Sequence, residues 1–127
     1  MVARIVRLGT ERVPGEGTRI GTVRRPPRGV PKAEFASRNF YDVWYPELAP
    51  SAETMKLGQG AETPAQWAAF TQKYRREMAE PAVSRTLDLL AALSHHADFS
   101  VGCYCEHEAS CHRSILRMLL SERGASM

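Results

Sequence analysis

The segment from Cys105 to Arg113 carries the residue types most able to do chemistry. It holds the thiols of Cys105 and Cys111, then His112 and Arg113, and a further thiol, Cys103, comes just before it. An apolar run precedes the segment and an apolar stretch at helical spacing follows it. The pattern therefore predicts a strand that passes into a helix, with Cys111, His112 and Arg113 in the first turn of that helix.

The first turn of a helix favours an anion or a thiolate, because its N–H groups are free and the helix dipole is positive there. A thiol in this position becomes more reactive, and a neighbouring histidine is able to carry its proton. We therefore name Cys111 and His112 as candidate catalytic residues. Arg113 and Cys105 are candidate ligand-binding residues, since a guanidinium binds phosphate or carboxylate through two hydrogen bonds.

Three chemistries remain open for this segment. The first is a pocket for a phosphorylated or nucleotide-like anion. The second is zinc bound by the cysteines with His107 or His112. Paired C-x-x-C spacings, which are typical of zinc sites, are absent. We therefore assign no metal ligand and name no cofactor. The third is thiol redox chemistry, in which Cys111 attacks and Cys105 or Cys103 resolves. A phosphocysteine mechanism is disfavoured, because Cys111 stands where the arginine of such a site would follow Cys105.

A basic, proline-rich loop supplies further candidate ligands. Arg28 lies between Pro27 and Gly29, and a stiffened backbone lowers the entropy lost when its side chain binds an anion. Arg24 lies in the same loop, and we expect Asp42 to orient Arg24 or Arg28 through a salt bridge. The alternative is a structural clamp that fastens the loop to the core. The early basic residues, taken together, are Arg19, Arg24, Arg25, Arg28, Lys32 and Arg38.

Composition limits the class of protein. The chain has 127 residues, 43% of them hydrophobic, and a formal net charge of +3, which predicts one globular domain over residues 1–127. Three clustered cysteines suit a reducing compartment, and no apolar run approaches the roughly 20 residues of a membrane span. Met1 to Leu8 lacks the apolar core of a signal peptide, so we expect a cytoplasmic protein with no membrane partner. A nucleic-acid partner is disfavoured, because no long basic stripe or interleaved aromatics are present.

Strands and helices are mixed along the chain. This order predicts an α/β fold: a single compact Rossmann-like domain with a small, mostly parallel sheet and packed helices. In such sheets ligands bind at the carboxyl ends of the strands. The segment from Asn39 to Pro50 is predicted to be irregular, and Gln59 and Gly60 to lie in a loop. The predicted strands are 4–8, 18–23 and 99–105, and the predicted helices are 31–37, 64–78, 82–94 and 114–123.

Several motifs resemble one family. They are Arg24 with Pro27-Arg28-Gly29, Asp42 with Trp44, Glu47 to Ser51, Trp67 with Phe70, Tyr74 to Glu77, and Cys111-His112-Arg113. Together they resemble the YeaO-like family, known as domain of unknown function 488 (DUF488). The resemblance implies a compact α/β domain with no established biochemical function. Val23 and Pro26 stand where relatives usually have Asp and Trp, which implies a pocket of different shape and charge.

A class of function other than ligand binding also remains. The basic surface is suited to a non-catalytic module that binds a protein or nucleic acid. Such a module predicts no concave pocket and an affinity that falls steeply with salt. The anion-binding hypothesis predicts instead that Arg24, Arg28 and Arg113 converge in space.

Overall fold

A computed structural model describes all 127 residues, Met1–Met127. It contains four strands and four α-helices, with short 3₁₀ turns at Lys32–Glu34, Pro46–Leu48 and Glu108–Ser110. None of the helices combines the length and the hydropathy that spanning a bilayer requires. The strands are β1 (Ala3–Arg7), β2 (Thr18–Gly21), β3 (Val43–Trp44) and β4 (Phe99–Cys103), and the helices are α1 (Ala52–Gln59), α2 (Pro64–Met78), α3 (Pro81–Leu93) and α4 (His112–Glu122).

The four strands form one sheet in the order β1-β4-β2-β3, and every neighbouring pair is parallel. All five residues of β4 are buried, as expected for a strand covered on both faces. Val101 of β4 pairs with Ile5 on one side and with Ile20 on the other. The predicted α/β fold with a small parallel sheet is confirmed. Because the strands are parallel, their carboxyl ends share one edge of the sheet.

Three helices supply most of the apolar core. A cap at Thr63 and a proline at the first helical position start α2, and the capping box is completed by Gln66. The apolar stripes predicted for the last three helices pack together and against β4. The buried side chains include Phe70, Tyr74 and Met78 of α2, Leu87 and Leu90 of α3, and Ile115, Leu116, Leu119 and Leu120 of α4.

Several elements differ from the sequence-based expectation, and the helix expected over residues 31–37 is only a 3₁₀ turn at Lys32–Glu34. Ser51 caps α1, a helix that was not predicted, and Glu77 of α2 accepts hydrogen bonds from the Ser51 and Thr54 hydroxyls. Strand β3 lies within the segment expected to be irregular and pairs with β2 through Ile20 and Val43. The last strand ends two residues earlier than expected, at Cys103, so Cys105 belongs to the following loop.

Arg19 belongs to the interior and not to the basic surface. Its side chain is fully buried and donates to the Glu16 carboxylate through Nε at 2.7 Å and Nη2 at 3.0 Å. Its Nη1 atom donates to the carbonyl oxygens of Thr10 and Asn39, and Ser100 donates to Glu16. This network fastens the loop before β2 to the sheet, so Arg19 is removed from the candidate anion ligands.

Candidate functional site

A cleft of about 410 Å³ opens at the carboxyl ends of β2 and β4. The loop after β2 and helix α1 form its walls, while Cys103 and His112 contribute to its floor. Arg24, Arg25 and Lys56 are the basic residues in its lining, and the lining contains no aspartate or glutamate. The cleft is therefore electropositive. It lies at the edge of the sheet where parallel α/β folds bind ligands.

Two cysteine sulfurs and an imidazole form a buried cluster beside this cleft. Cys103 ends β4, Cys111 is the N-cap of α4, and His112 is the first residue of that helix. All three are at least 97% buried, and the ligand atoms that they offer lie within 4.8 Å of one another. The structure pairs the two sulfur atoms as a disulfide, although the Cα atoms are 8.0 Å apart. The strand-to-helix segment thus brings Cys103 and Cys111 to one point, while Cys105 stays free.

Hydrogen bonds fix the orientation of the His112 ring. Its Nε2 atom lies 2.8 Å from the Thr22 carbonyl oxygen and 3.2 Å from the Thr22 hydroxyl. The Thr22 hydroxyl donates its own hydrogen to the Gly102 carbonyl. The carbonyl oxygen and the hydroxyl oxygen of Thr22 therefore both act as acceptors toward His112. Nε2 must therefore carry the proton. Nδ1 is left with a lone pair that faces the Cys111 sulfur at 3.7 Å.

Burial lowers the pKa of His112 to about 4. The nearby positive charge of Arg113 also lowers this pKa, whereas the hydrogen bond to the Thr22 backbone raises it. The imidazole is consequently neutral at physiological pH. It is available as a hydrogen-bond acceptor or a metal ligand, and it does not titrate near neutrality as a solvated histidine would.

Arg113 lies beneath the loop that carries Cys105. It is 4% exposed, and its Nη2 atom donates to the Cys105 carbonyl oxygen at 2.7 Å. Its Nε atom has no hydrogen-bond partner, and burial lowers the pKa of the guanidinium. Glu108, one of two glutamates in the same loop, is instead bound through two hydrogen bonds by Arg117. Arg113 is absent from the cleft lining, so in this arrangement it supports the backbone of the loop.

The other predicted ligand-binding residues are divided between two concavities. Arg24 and Cys105 line the cleft, and the Cys105 thiol is free and exposed. Arg28 lines an adjoining open groove of about 970 Å³. Arg25 and Tyr104 line both concavities, so the two are contiguous, and the Tyr104 hydroxyl donates to the Arg25 carbonyl. Arg24 and Arg28 thus line two adjoining concavities, and Arg113 lines neither of them.

The role expected for Asp42 is corrected. Its carboxylate binds Arg12 through two hydrogen bonds of 2.8 and 3.0 Å and accepts another from the Arg19 backbone amide. Because β2 and β3 are parallel and Ile20 pairs with Val43, Asp42 lies toward the start of β2. Arg24 and Arg28 follow the opposite end of that strand, beyond its reach.

Trp44 does fasten the basic loop to the sheet, as the clamp interpretation expects. It pairs with Gly21 in the register of the sheet, and its indole nitrogen donates to the Val23 carbonyl oxygen at 2.7 Å. The loop that carries Arg24 and Arg25 is therefore held at its beginning.

Sequence reasoning did not single out Lys56 or Thr22 as site residues. Lys56 lies on α1, the helix that was not predicted, and Thr22 reaches His112 only because β2 and β4 are neighbours. A signal for Lys56 does exist, since Ser51 in front of a polar stretch is a recognisable helix start. No local pattern identifies Thr22.

A family model described as the active DUF488-N3 subclade matches residues 3–124 of the chain. The match includes all four strands, all four helices and the residues of the cleft. It confirms the resemblance indicated by the motifs. No curated protein and no solved structure matches the chain.

Proposed function

This chain belongs to the DUF488 family, and we propose that it binds a small phosphorylated or nucleotide-like anion in the basic cleft at the carboxyl edge of its sheet. One observation carries the proposal: Arg24, Arg25 and Lys56 line this cleft, and no carboxylate does. Cationic side chains gathered without acidic partners repel one another, and a bound anion relieves that repulsion.

The two kinds of cation suit a phosphate group. Arginine presents a planar fork to two oxygens, and lysine acts as a mobile point charge. Arg24 and Arg25 come from the loop after β2, whereas Lys56 comes from α1 on the opposite wall. A phosphate between the walls would be contacted from both sides. The volume of about 410 Å³ falls within the range typical of small-molecule sites.

The adjoining groove suggests how a larger ligand extends. Arg28 lines it with Phe40 and Tyr104, which offer aromatic surface beside a cation. A base or sugar would lie against such a surface while the phosphate occupies the cleft. This division gives Arg28 a role in contacting the ligand without requiring it to share a wall with Arg24. Cys105, exposed and in the lining of the cleft, is placed to contact the same ligand.

The test is a thermal-shift and calorimetric screen of reduced, metal-free protein against pyrophosphate, nucleotides and sugar phosphates. We expect at least one of these ligands to raise the melting temperature. Arg24→Gln and Lys56→Gln should each weaken its binding by roughly ten- to hundredfold, since a charged hydrogen bond contributes about 1.5–3 kcal/mol. Arg38→Gln removes the same charge from an exposed residue outside both concavities and should leave the affinity unchanged.

Two results would contradict the proposal. The first is the absence of a shift with every anion. The second is an equal loss of affinity in Arg38→Gln and Arg24→Gln, which would mean that overall charge and not the cleft attracts the ligand. A steep salt dependence with no preference among anions would favour the interaction module instead.

A further inference from the structure

We infer that Cys103, Cys111 and His112 form a zinc site of the two-cysteine, one-histidine type, with a fourth coordination position open toward the cleft. The inference does not depend on anion binding, because it uses side chains of the cleft floor and not its basic walls. It assigns Cys111 and His112, the candidate catalytic residues, to the coordination of a metal.

The donor set suits zinc. Thiolate sulfur and imidazole nitrogen are its preferred ligands, and two cysteines with one histidine and an open position are typical of a catalytic zinc. The Sγ atoms of Cys103 and Cys111 and a ring nitrogen of His112 lie within 4.8 Å of one another. Two thiolates and a neutral imidazole also balance the double charge of the metal, so the buried site has no net charge.

The backbone spacing of the two cysteines favours a bridging metal. Their Cα atoms are 8.0 Å apart, whereas a disulfide usually joins Cα atoms about 4.4–6.8 Å apart. Tetrahedral zinc with bonds of about 2.3 Å holds two sulfurs about 3.8 Å apart. A bridging zinc ion thus places the two sulfur atoms about 1.7 Å farther apart than a disulfide does. Once a reductant has converted the pair to two thiols, the sulfurs can separate by side-chain rotation and admit the ion.

His112 already has the tautomer and support of a metal ligand. Its Nε2–H group donates to the Thr22 carbonyl oxygen at 2.8 Å, which leaves the Nδ1 lone pair facing the Cys111 sulfur at 3.7 Å. A ligating histidine almost always donates its other ring N–H to a carbonyl or carboxylate in this way. Thr22, held by its own bond to Gly102, therefore orients the ring for coordination through Nδ1.

The fourth position faces the cleft because of where each ligand lies. Cys103 and His112 belong to the cleft lining, and Cys111 does not. A metal between the three is thus covered by Cys111 on its inner side and open toward the cleft. There it would hold a water molecule or an oxygen of a bound anion. Binding converts two thiols to thiolates, and the two released protons pass to solvent.

The experiment loads reduced, metal-free protein with Zn²⁺ against a chromophoric chelator and, separately, with Co²⁺ for spectroscopy. We expect one metal per chain, a thiolate-to-cobalt charge-transfer band and the intense ligand-field bands of a four-coordinate ion. Cys103→Ser and Cys111→Ser should each lose about half of the charge-transfer intensity and bind zinc at least 100-fold more weakly. The matched control, Cys105→Ser, replaces the exposed thiol of the same segment and should retain both.

The open position has its own readout. Azide added to the cobalt form should change the ligand-field bands, because it replaces a coordinated water. A closed four-ligand site would not respond. If either buried variant fails to fold, X-ray absorption of the zinc-loaded wild-type protein decides the question, with two sulfur and two nitrogen or oxygen neighbours expected.

Three results would overturn the inference. They are the failure of reduced protein to bind stoichiometric zinc, a loss of the cobalt band in Cys105→Ser equal to that in Cys111→Ser, and a zinc shell of three or four sulfurs. Failure to bind zinc together with rapid formation of a Cys103–Cys111 disulfide would assign the pair to thiol redox chemistry. None of these results bears on binding of pyrophosphate by metal-free protein, so the two proposals can fail separately.

Discussion

The Nε2 atom of His112 lies 2.8 Å from the carbonyl oxygen of Thr22, and this hydrogen bond joins the start of α4 to the end of β2. The two residues are 90 positions apart in the sequence. They meet because β2 and β4 are parallel neighbours, and the chain leaving β4 enters α4 just beyond the shared edge. The contact places the ring proton on Nε2. Nδ1 therefore keeps a lone pair that can accept a hydrogen bond or bind a metal.

The hydroxyl of Thr22 should contribute measurably to the free energy of unfolding. Thr22→Val keeps the shape of the side chain but removes an oxygen that donates to Gly102 and accepts from His112 in a fully buried position. We expect a loss of about 0.5–1.5 kcal/mol in urea denaturation, because the Gly102 carbonyl loses one of its two donors and keeps the Thr22 backbone amide. Thr10→Val, which removes an exposed hydroxyl bonded to the Arg7 carbonyl, should change stability much less. Equal losses in the two variants would contradict this account.

The Glu16–Arg19 pair should be far more sensitive to substitution than the surface ion pairs. Glu16→Gln leaves the fully buried Arg19 without a compensating charge, and we expect a loss of about 3–5 kcal/mol. Glu53→Gln breaks an ion pair with Lys73 in which the carboxylate is 82% exposed, so little change is expected. Denaturant midpoints of the two variants compare them directly. A Glu16→Gln protein as stable as wild type would show that the amide satisfies Arg19 without charge.

The elements with strong local signals were predictable from the sequence, and those held by distant contacts were not. Helix α2 carries its own cap and apolar stripe. Helix α1 buries only Thr54 among its residues, and Glu77 of α2 fixes its beginning through the Ser51 and Thr54 hydroxyls. The apolar periodicity of residues 52–59 therefore could not predict α1, because the contacts that stabilise this helix come from α2.

The same distinction holds for the site. Cys103, Cys111 and His112 are close in sequence, so the strand-to-helix reasoning located them. Lys56 and Thr22 join them through α1 and through the sheet order, neither of which is a local property. Asp42 was assigned to the wrong arginine because the pairing of β3 with β2 decides which end of the strand it reaches, and β3 has only two residues.

The Glu77 carboxylate should make stability depend on pH in the acid range. Burial raises its pKa, but hydrogen bonds from Thr54 and Ser51 outweigh that effect, and the net pKa lies below the usual 4.5. The folded state therefore binds this proton more weakly than the unfolded state. The stabilisation is fully present above about pH 4.5 and is lost as the pH falls through the folded pKa. Urea midpoints between pH 2 and 7 should fall less steeply in acid for Glu77→Gln than for wild type; parallel curves would refute a role for Glu77.

Arg113 should control the mobility of the loop that carries Cys105. Its Nη2 atom donates to the Cys105 carbonyl at 2.7 Å from a position that is 4% exposed. Arg113→Gln removes a charged hydrogen bond of about 1.5–3 kcal/mol, which corresponds to roughly ten- to hundredfold more frequent opening of residues 104–111. Hydrogen exchange followed by mass spectrometry on that peptide measures the change, with the β4 peptide as an internal reference for global stability.

Arg123→Gln is the matched control for this prediction. It removes an arginine from the far end of α4, where the side chain binds Asp88 of α3. Its effect on exchange should be absent from residues 104–111. If Arg113→Gln speeds exchange equally in the loop and in β4, the arginine supports the whole fold and not the loop. If it speeds neither, the bond to Cys105 contributes nothing, and the buried guanidinium, with its unpartnered Nε atom, becomes the better candidate for direct contact with a bound anion.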